Sequence, residues 1–239
     1  MFQQDRIFRL AHILRLCLTI ACLFSAQSTA AGAPFSISDY IVELDEEVGD
    51  NSLHTYANEW WKWAYSMQQN QSPIRDRNGS HCGVNQQGPV WYLAGGFGTT
   101  KIDRACVLPA QKHIFFPVIN IVHYTPPDSD ITCEEAKKRA AENNNNFVYI
   151  RVFLNGSQLE NAQRFRLASK ECFNLFERVP EEFNAPSVAP SATDGYWIMM
   201  KPLPPGTHKL EFRAFYTNQG TSYGDMVQNI SYELTILAE

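Results

Sequence analysis

The sequence lacks the patterns that would assign it to a familiar functional class. No segment after residue 30 holds the roughly 20 consecutive apolar residues that a membrane-spanning helix needs. H-x-H, H-E-x-x-H and C-x-x-C are all absent, so no zinc hydrolase or structural metal site is predicted. No Gly-Lys-Ser/Thr follows the glycine-rich segment 95–98, which excludes a phosphate-binding loop. The sequence therefore predicts no cofactor and no metal, and it leaves open whether the protein is an enzyme.

Positive charge is also scarce. The chain has 20 basic and 25 acidic residues; without its first 30 residues the counts are 17 and 24, a net charge of −7. An acidic surface does not attract nucleic acid or an anionic membrane. Neither is expected as a partner.

The N-terminus has the layout of a secretory signal peptide. Three arginines accompany the apolar run 16–26, and small residues follow at 28–30. The run is too short to span a bilayer. We expect residues 1–30 to be removed near Ala30, leaving a soluble secreted or periplasmic protein. A lipid anchor on Cys22 is the less favoured alternative.

The remaining chain contains four cysteines, Cys82, Cys106, Cys133 and Cys172. An even number of cysteines in an exported chain indicates disulfides. Four cysteines allow three pairings, and we favour Cys82–Cys106 with Cys133–Cys172 because these loops are moderate in length and do not interleave.

Two segments have helical patterns. Apolar residues, including Trp60 and Trp61, recur at helical spacing across 53–67 and predict a helix that packs on a sheet. Thr132 and Glu135 form a capping box that starts a short polar helix, ending near Glu142.

The rest of the chain alternates short strand patterns with turns, which predicts an antiparallel β-sandwich of jelly-roll or immunoglobulin-like topology with one or two helices packed on it. We expect residues 31–239 to form a single domain, with 126–194 as a variable elaboration. Pro117 indicates an edge strand or a bulge. The predicted strands are 90–94, 102–108, 113–120, 147–154, 195–200, 209–214 and 232–236.

Several motifs dense in Trp and Pro occur along the chain: WWKWA at 60–64, GPVWYLAG at 88–95, Cys106 with LPA at 108–110, FFPVIN at 115–120 and PLPPGTH at 202–208. Together they resemble a group of exported bacterial proteins of unknown function. The resemblance covers most of the chain after the leader, with the largest departures at 126–194. It implies export and a single β domain, and it supplies no catalytic residue.

The aromatic content suggests a binding function. Trp63, Trp91 and Tyr92 are candidates for a platform on which a sugar ring could stack. The same residues would also fill a sandwich core, which is the simpler interpretation. The leading hypothesis is a binding or structural module for a glycan or another small ligand.

Two further hypotheses remain open. An extracellular glycosidase-like hydrolase would need two carboxylates across a cleft, and acidic residues cluster at 43–47, 134–135 and 181–182. A protein partner could instead cover an exposed sheet edge near Pro117. Three arginines, Arg104, Arg151 and Arg213, could meet anionic groups, although each also suits the wet face of a strand. Asp76 and Asn78 resemble the start of a calcium loop, but an ordinary turn is the simpler interpretation.

Overall fold

Two larger β-sheets and two helices make up the fold in the computed structural model. The structure describes residues 35–98, 100–126, 129–146, 148–183, 185, 190–217 and 224–238, so the predicted signal peptide lies outside the described residues. Neither helix is long and apolar enough to cross a membrane, within the part of the chain that is described. The elements are β1 (Glu47–Val48), β2 (Asn51–Ser52), α1 (Leu53–Tyr65), β3 (Val90–Tyr92), β4 (Ile102–Leu108), β5 (His113–Tyr124), α2 (Cys133–Ala141), β6 (Val148–Leu154), β7 (Ser157–Gln158), β8 (Arg166–Ala168), β9 (Ser191–Met200), β10 (Gly206–Tyr216) and β11 (Met226–Ile236), with short 3-10 turns at Ile37–Tyr40, Gln69–Gln71, Ala162–Arg164 and Glu181–Phe183.

The strand order confirms a mainly β sandwich with helices packed on it. One sheet has the order β4-β11-β10-β6-β7, the second has the order β3-β5-β9-β8, and β1 and β2 form a small separate pair. Most neighbours are antiparallel, but β4 runs parallel to β11 and β3 runs parallel to β5. Each larger sheet is therefore mixed, a detail that the strand patterns do not predict.

The four-stranded sheet is buried on both faces, and β9 shows this most clearly because all ten of its residues are buried. Ile198 and Met200 point into the core between the two sheets. Trp197 and Met199 point the other way, into a second core beneath α1. The continuous apolar character of this strand follows from these two buried faces.

Helix α1 seals the second core with the face that the sequence predicts. Ser52 caps its first turn by accepting a hydrogen bond from the backbone N–H of Thr55. The indole N–H of Trp60 donates to the carbonyl of Leu93, and that of Trp63 donates to the carbonyl of Val84, both over 2.9 Å. These bonds satisfy buried donors and tie the helix to the turn at Val84 and to the residue that follows β3.

The predicted disulfide pairing is confirmed. Cys82 is bonded to Cys106, and Cys133 is bonded to Cys172. The second bond ties the start of α2 to the segment after β8. The segment 126–194 supplies β6, which lies between β10 and β7, so it contributes directly to the sandwich.

Pro117 lies in a β-bulge, as one of the two predicted alternatives states, but its strand is not at an edge. β5 is flanked by β3 and β9, and its register with β9 shifts between Pro117 and Ile119. The ladder with β3 reaches only to Phe115, so the missing N–H of Pro117 interrupts no bond on that side. The edge interpretation is therefore wrong.

Candidate functional site

The three aromatic residues predicted as a sugar platform are buried. The exposed fraction is 1% for Trp63, 9% for Trp91 and 5% for Tyr92. Trp91 lies in the core between the sheets, whereas Trp63 and Tyr92 lie in the core beneath α1. Residues 91 and 92 alternate across β3, so their rings cannot form one surface. The platform prediction is wrong for these residues, and the core interpretation is correct.

Arg104 also points inward and does not lie on a wet face. Its side chain lies on the buried side of β4, together with those of Ile102 and Cys106, and only 3% of the residue is exposed. Its guanidinium donates to buried acceptors and is therefore fully engaged in holding the fold. The acceptors are the carbonyls of Asp76 (2.8 Å), Ala94 (2.6 Å), Gly95 (3.0 Å) and Ile74 (3.4 Å) and the hydroxyl of Tyr232 (2.7 Å).

Asp76 organises an ordinary turn. Its carboxylate accepts hydrogen bonds from the backbone N–H groups of Asn78 and Gly79, both over 3.1 Å, and of His81 over 2.8 Å. Burial alone would raise the pKa of Asp76, but these bonds and the nearby Arg104 outweigh burial and lower the pKa. Its oxygens thus face protein donors. Among the described residues no group of three or more His, Cys, Asp or Glu side chains could hold a metal ion.

The acidic clusters named from the sequence do not converge on a cleft. Glu43 forms an ion pair with Arg164, and that pair lowers the pKa of Glu43 despite an opposing effect of burial. Glu134 and Glu135 pair with residues of their own helix. Glu181 and Glu182 are exposed in a 3-10 turn. All of these carboxylates occupy surface positions on separate elements.

The five-stranded sheet presents an open surface that carries two of the arginines named from the sequence, Arg151 and Arg213, beside aromatic residues that were not among the sequence candidates. We call the solvent side of β4, β11, β10 and β6 the outer face. Both helices pack on the four-stranded sheet instead. On the outer face, strand register sets side chains in cross-strand rows, and partly exposed aromatic rings stand among polar groups. The rows are Tyr149–Phe215–Val227, Arg151–Arg213–Asn229 and Phe153–Glu211–Ser231–Asp103.

A cleft of about 510 Å³ opens at the end of the outer face that lies beyond Phe153. Two turn contacts shape its wall. Asn155 Nδ2 lies 3.0 Å from His208 Nδ1, and the backbone N–H of Lys209 donates to Asn155 Oδ1 over 2.9 Å. The residues that line it include Asn78, Asp103, Asn155, His208, Lys209 and Glu233.

The cleft contains two carboxylates, Asp103 and Glu233. Asp103 is opposite Ser231 in the parallel ladder of β4 and β11, and Glu233 is two residues further along β11. Two residue steps of about 3.3 Å along β11 and one interstrand spacing of about 4.8 Å place the two Cα atoms about 8 Å apart. Asp103 is also held by Lys101, with Nζ and Oδ1 separated by 2.9 Å.

The signal for the outer face was present in the sequence. Tyr149, Arg151 and Phe153 alternate with the apolar residues of β6, which predicts that they share the face opposite the core. What the alternation cannot show is that β10 sets Arg213 and Phe215 beside them, because register between strands depends on the tertiary pairing.

One motif was not recognised from the sequence. Residues 220–224 read Gly-Thr-Ser-Tyr-Gly, which matches the G-x-S-x-G pattern of a nucleophile elbow. Residues 220–223 lie outside the described part of the chain. The segment connects β10 to β11, two antiparallel strands, whereas a nucleophile elbow connects a strand to a helix. The connectivity therefore does not support an elbow.

Comparison with known proteins adds no assignment: no protein-family model, no curated protein and no solved structure matches the chain.

Proposed function

We propose that the protein is an exported binding module that takes a glycan on the outer face of its five-stranded sheet. One observation carries the proposal. Tyr149, Phe153 and Phe215 present partly exposed rings on an open face, among charged and amide side chains. Aromatic rings pack against the apolar face of a sugar ring, while polar neighbours bind its hydroxyls.

The dimensions of the face suit an oligosaccharide better than a single sugar. From Tyr149 to Asn155 the strand β6 and its turn cover six residue steps, which is about 20 Å at 3.3 Å per residue. The Tyr149–Phe215 row lies at one end of this length, and Phe153 and the cleft lie at the other. A chain of several sugar rings could therefore contact both.

Three features support export. Two disulfides suit an oxidising compartment outside the cytosol, and the absence of a spanning helix among the described residues is compatible with that location. The first 30 residues have the layout of a cleaved signal. The expected N-terminus of the protein recovered from the periplasm or medium follows Ala30, and N-terminal sequencing would contradict the proposal by finding Met1.

The first test measures the melting temperature of the oxidised protein against a panel of neutral and charged oligosaccharides. A ligand at a hundred times its dissociation constant adds about 2.7 kcal/mol to the free energy of unfolding. For a chain of this size, at about 2–4 °C per kcal/mol, that corresponds to a rise of roughly 5–10 °C. A rise with one glycan class supports the proposal, and a flat response across the panel contradicts it.

A second test locates the site. Tyr149→Ala and Phe215→Ala should each weaken binding of the active glycan several-fold, because each removes a stacking ring. Phe183→Ala is the matched control: Phe183 is 42% exposed and Phe215 is 37% exposed, but Phe183 lies in a 3-10 turn away from the outer face. Equal losses in all three variants would contradict the location.

Hydrolysis is a second candidate function, favoured by the presence of Asp103 and Glu233 in one cleft. Glycosidases use two carboxylates about 5–10 Å apart. If the bound glycan is cut, new reducing ends should appear, and Asp103→Asn or Glu233→Gln should abolish their release while binding remains. Intact glycan after long incubation would leave binding as the function.

A further inference from the structure

Two arginines face each other in the middle of the outer face. Arg213 on β10 is directly opposite Arg151 on β6, and Asn229 on β11 completes the row. Both arginine side chains are exposed. Directly opposed residues on one face of a sheet have Cβ atoms about 4.5–5.5 Å apart, so the two guanidinium groups share one small region of surface.

Neither arginine is neutralised within the described part of the chain. The ion pairs found there involve other basic residues, and none joins Arg151 or Arg213 to a carboxylate. Glu211, two residues along β10 on the same face, pairs with Lys209 over 3.1 Å. Arg151 makes one contact of note, with its guanidinium carbon 5.4 Å from the centre of the Tyr149 ring.

This arrangement is unfavourable without an anion. Like charges that are directly opposite in a sheet destabilise it. The pair is also unusual for this chain, which carries more acidic than basic residues. An anion between the two guanidinium groups would remove the repulsion and would gain charge-assisted hydrogen bonds, which are about twice as strong as neutral ones.

The neighbouring aromatic row indicates which class of molecule bears the anionic group. Tyr149 and Phe215 are directly opposite each other, two residues along the strands from the arginine pair. Two residues along a strand correspond to about 7 Å. A sugar ring stacked on the aromatic row therefore places a substituent of that ring over the arginine row.

We propose that the outer face selects an acidic saccharide, a uronate whose carboxylate binds between Arg151 and Arg213 while its ring stacks on Tyr149 and Phe215. The proposal rests on the proposed glycan-binding function and narrows its ligand class. A planar carboxylate matches the fork of a guanidinium, which binds it through two parallel hydrogen bonds. Asn229 adds an amide at the end of the same row.

The test uses isothermal titration of the intact, oxidised protein with three probes of equal length: oligogalacturonate, its neutral methyl ester, and a sulfated neutral oligosaccharide. The free uronate should bind about tenfold or more tightly than the ester, as expected for lost charge-assisted bonds, and its affinity should fall as salt is raised. Equal binding of the acid and the ester overturns the inference but leaves the proposed function intact. Equal or tighter binding of the sulfated probe overturns the choice of a carboxylate.

Variants distinguish a specific effect of the two arginines from the effect of removing any one positive charge. Arg151→Gln and Arg213→Gln should each reduce uronate affinity about tenfold and reduce ester affinity by a clearly smaller factor, because the neutral ester loses no bond between opposite charges. Arg213→Lys keeps the charge but loses the fork, so it should give an intermediate loss. Lys170→Gln is the control, because it removes the same charge from an exposed residue just after β8 in the other sheet. A loss as large in Lys170→Gln overturns the inference.

The glycan panel keeps the two proposals distinguishable. If neither the uronate nor its ester binds, the inference is overturned. The proposed function is then judged on the other glycans of the panel. Tyr149→Ala supplies an internal check, because loss of the stacking ring should weaken the acid and the ester alike. Retained uronate binding in the double variant Arg151→Gln/Arg213→Gln overturns the inference outright.

Discussion

The guanidinium of Arg104 donates a hydrogen bond to the hydroxyl of Tyr232 over 2.7 Å, and both side chains are almost wholly buried. The hydroxyl in turn donates to the carbonyl of Ala94 over 2.7 Å. Arg104 and Tyr232 belong to the five-stranded sheet, whereas Ala94 follows β3 of the other sheet. The pair therefore links the two layers of the sandwich through polar bonds inside the core.

Removing the hydroxyl of Tyr232 should destabilise the protein. Tyr232→Phe leaves Arg104 without one acceptor in a buried setting, and leaving such a group unpaired costs about 1–3 kcal/mol. Urea denaturation followed by circular dichroism would measure the loss. Tyr149→Phe is the control, since Tyr149 lies on the outer face and its change should stay within about 0.5 kcal/mol. Equal effects would contradict the buried network.

Asp76 should make stability depend on acid pH. Its pKa is lower in the folded protein than in the unfolded chain, so its contribution is present above the unfolded pKa, near 4. That contribution is lost as the pH falls through the lowered folded pKa. At neutral pH Asp76→Asn should cost about 1–3 kcal/mol, and the difference from wild type should shrink below pH 4. Denaturation curves of both proteins at pH 3 and pH 7 measure this difference in the free energy of unfolding.

The matched control for that experiment is Asp45→Asn, which changes an exposed carboxylate. Its effect on the free energy of unfolding should stay within about 0.5 kcal/mol at both pH values. If Asp76→Asn lowers the free energy of unfolding by the same amount at both pH values, the Asp76 carboxylate is not held in the charged form.

Gly195 should not tolerate a side chain. A Cβ atom there would lie 2.6 Å from Cβ of Asn120 and 2.7 Å from its Cα, so the paired strand must move. Overpacking of this kind costs about 1–3 kcal/mol. Gly83→Ala is the control, because the nearest atom to its new Cβ is 3.9 Å away. Thermal melting of both variants tests the close approach of β5 and β9, and similar melting temperatures would contradict it.

All five tryptophans should be shielded from solvent, since none is more than 9% exposed. Iodide should quench native fluorescence weakly and should quench the unfolded protein strongly. A ligand on the outer face should leave the emission spectrum unchanged, because no tryptophan lies there. A ligand-induced shift would place the ligand near the residues Trp60, Trp61, Trp63, Trp91 and Trp197 and would contradict the proposed face.

Arg104 shows what strand alternation in the sequence can and cannot predict. Arg104 is two residues from both Ile102 and Cys106, so strand alternation places its side chain on the same side of β4 as theirs. A charged residue is nevertheless expected on the wet side, because burying a charge without partners is costly. Its acceptors come from segments as distant as Tyr232, so they could not be identified before folding brings them together.

Trp91 and Tyr92 illustrate a different limit. Their neighbours in sequence predict a strand, and the structure has one there. Whether their rings meet solvent depends on what covers each face of that strand. The other sheet covers the side of Trp91, and α1 covers the side of Tyr92.

The sequence by itself determined the local features of this protein: the presence and capped starts of α1 and α2 and the approximate positions of the strands; among three possible pairings of the four cysteines it favoured the observed one. Each depends on contacts between residues close in the chain or on a small number of combinations. Only the tertiary structure decided which side of each strand is buried and which residues of β6 and β10 become neighbours. Those outcomes depend on how distant segments stack and pair, and they set Arg151 beside Arg213 on an open face.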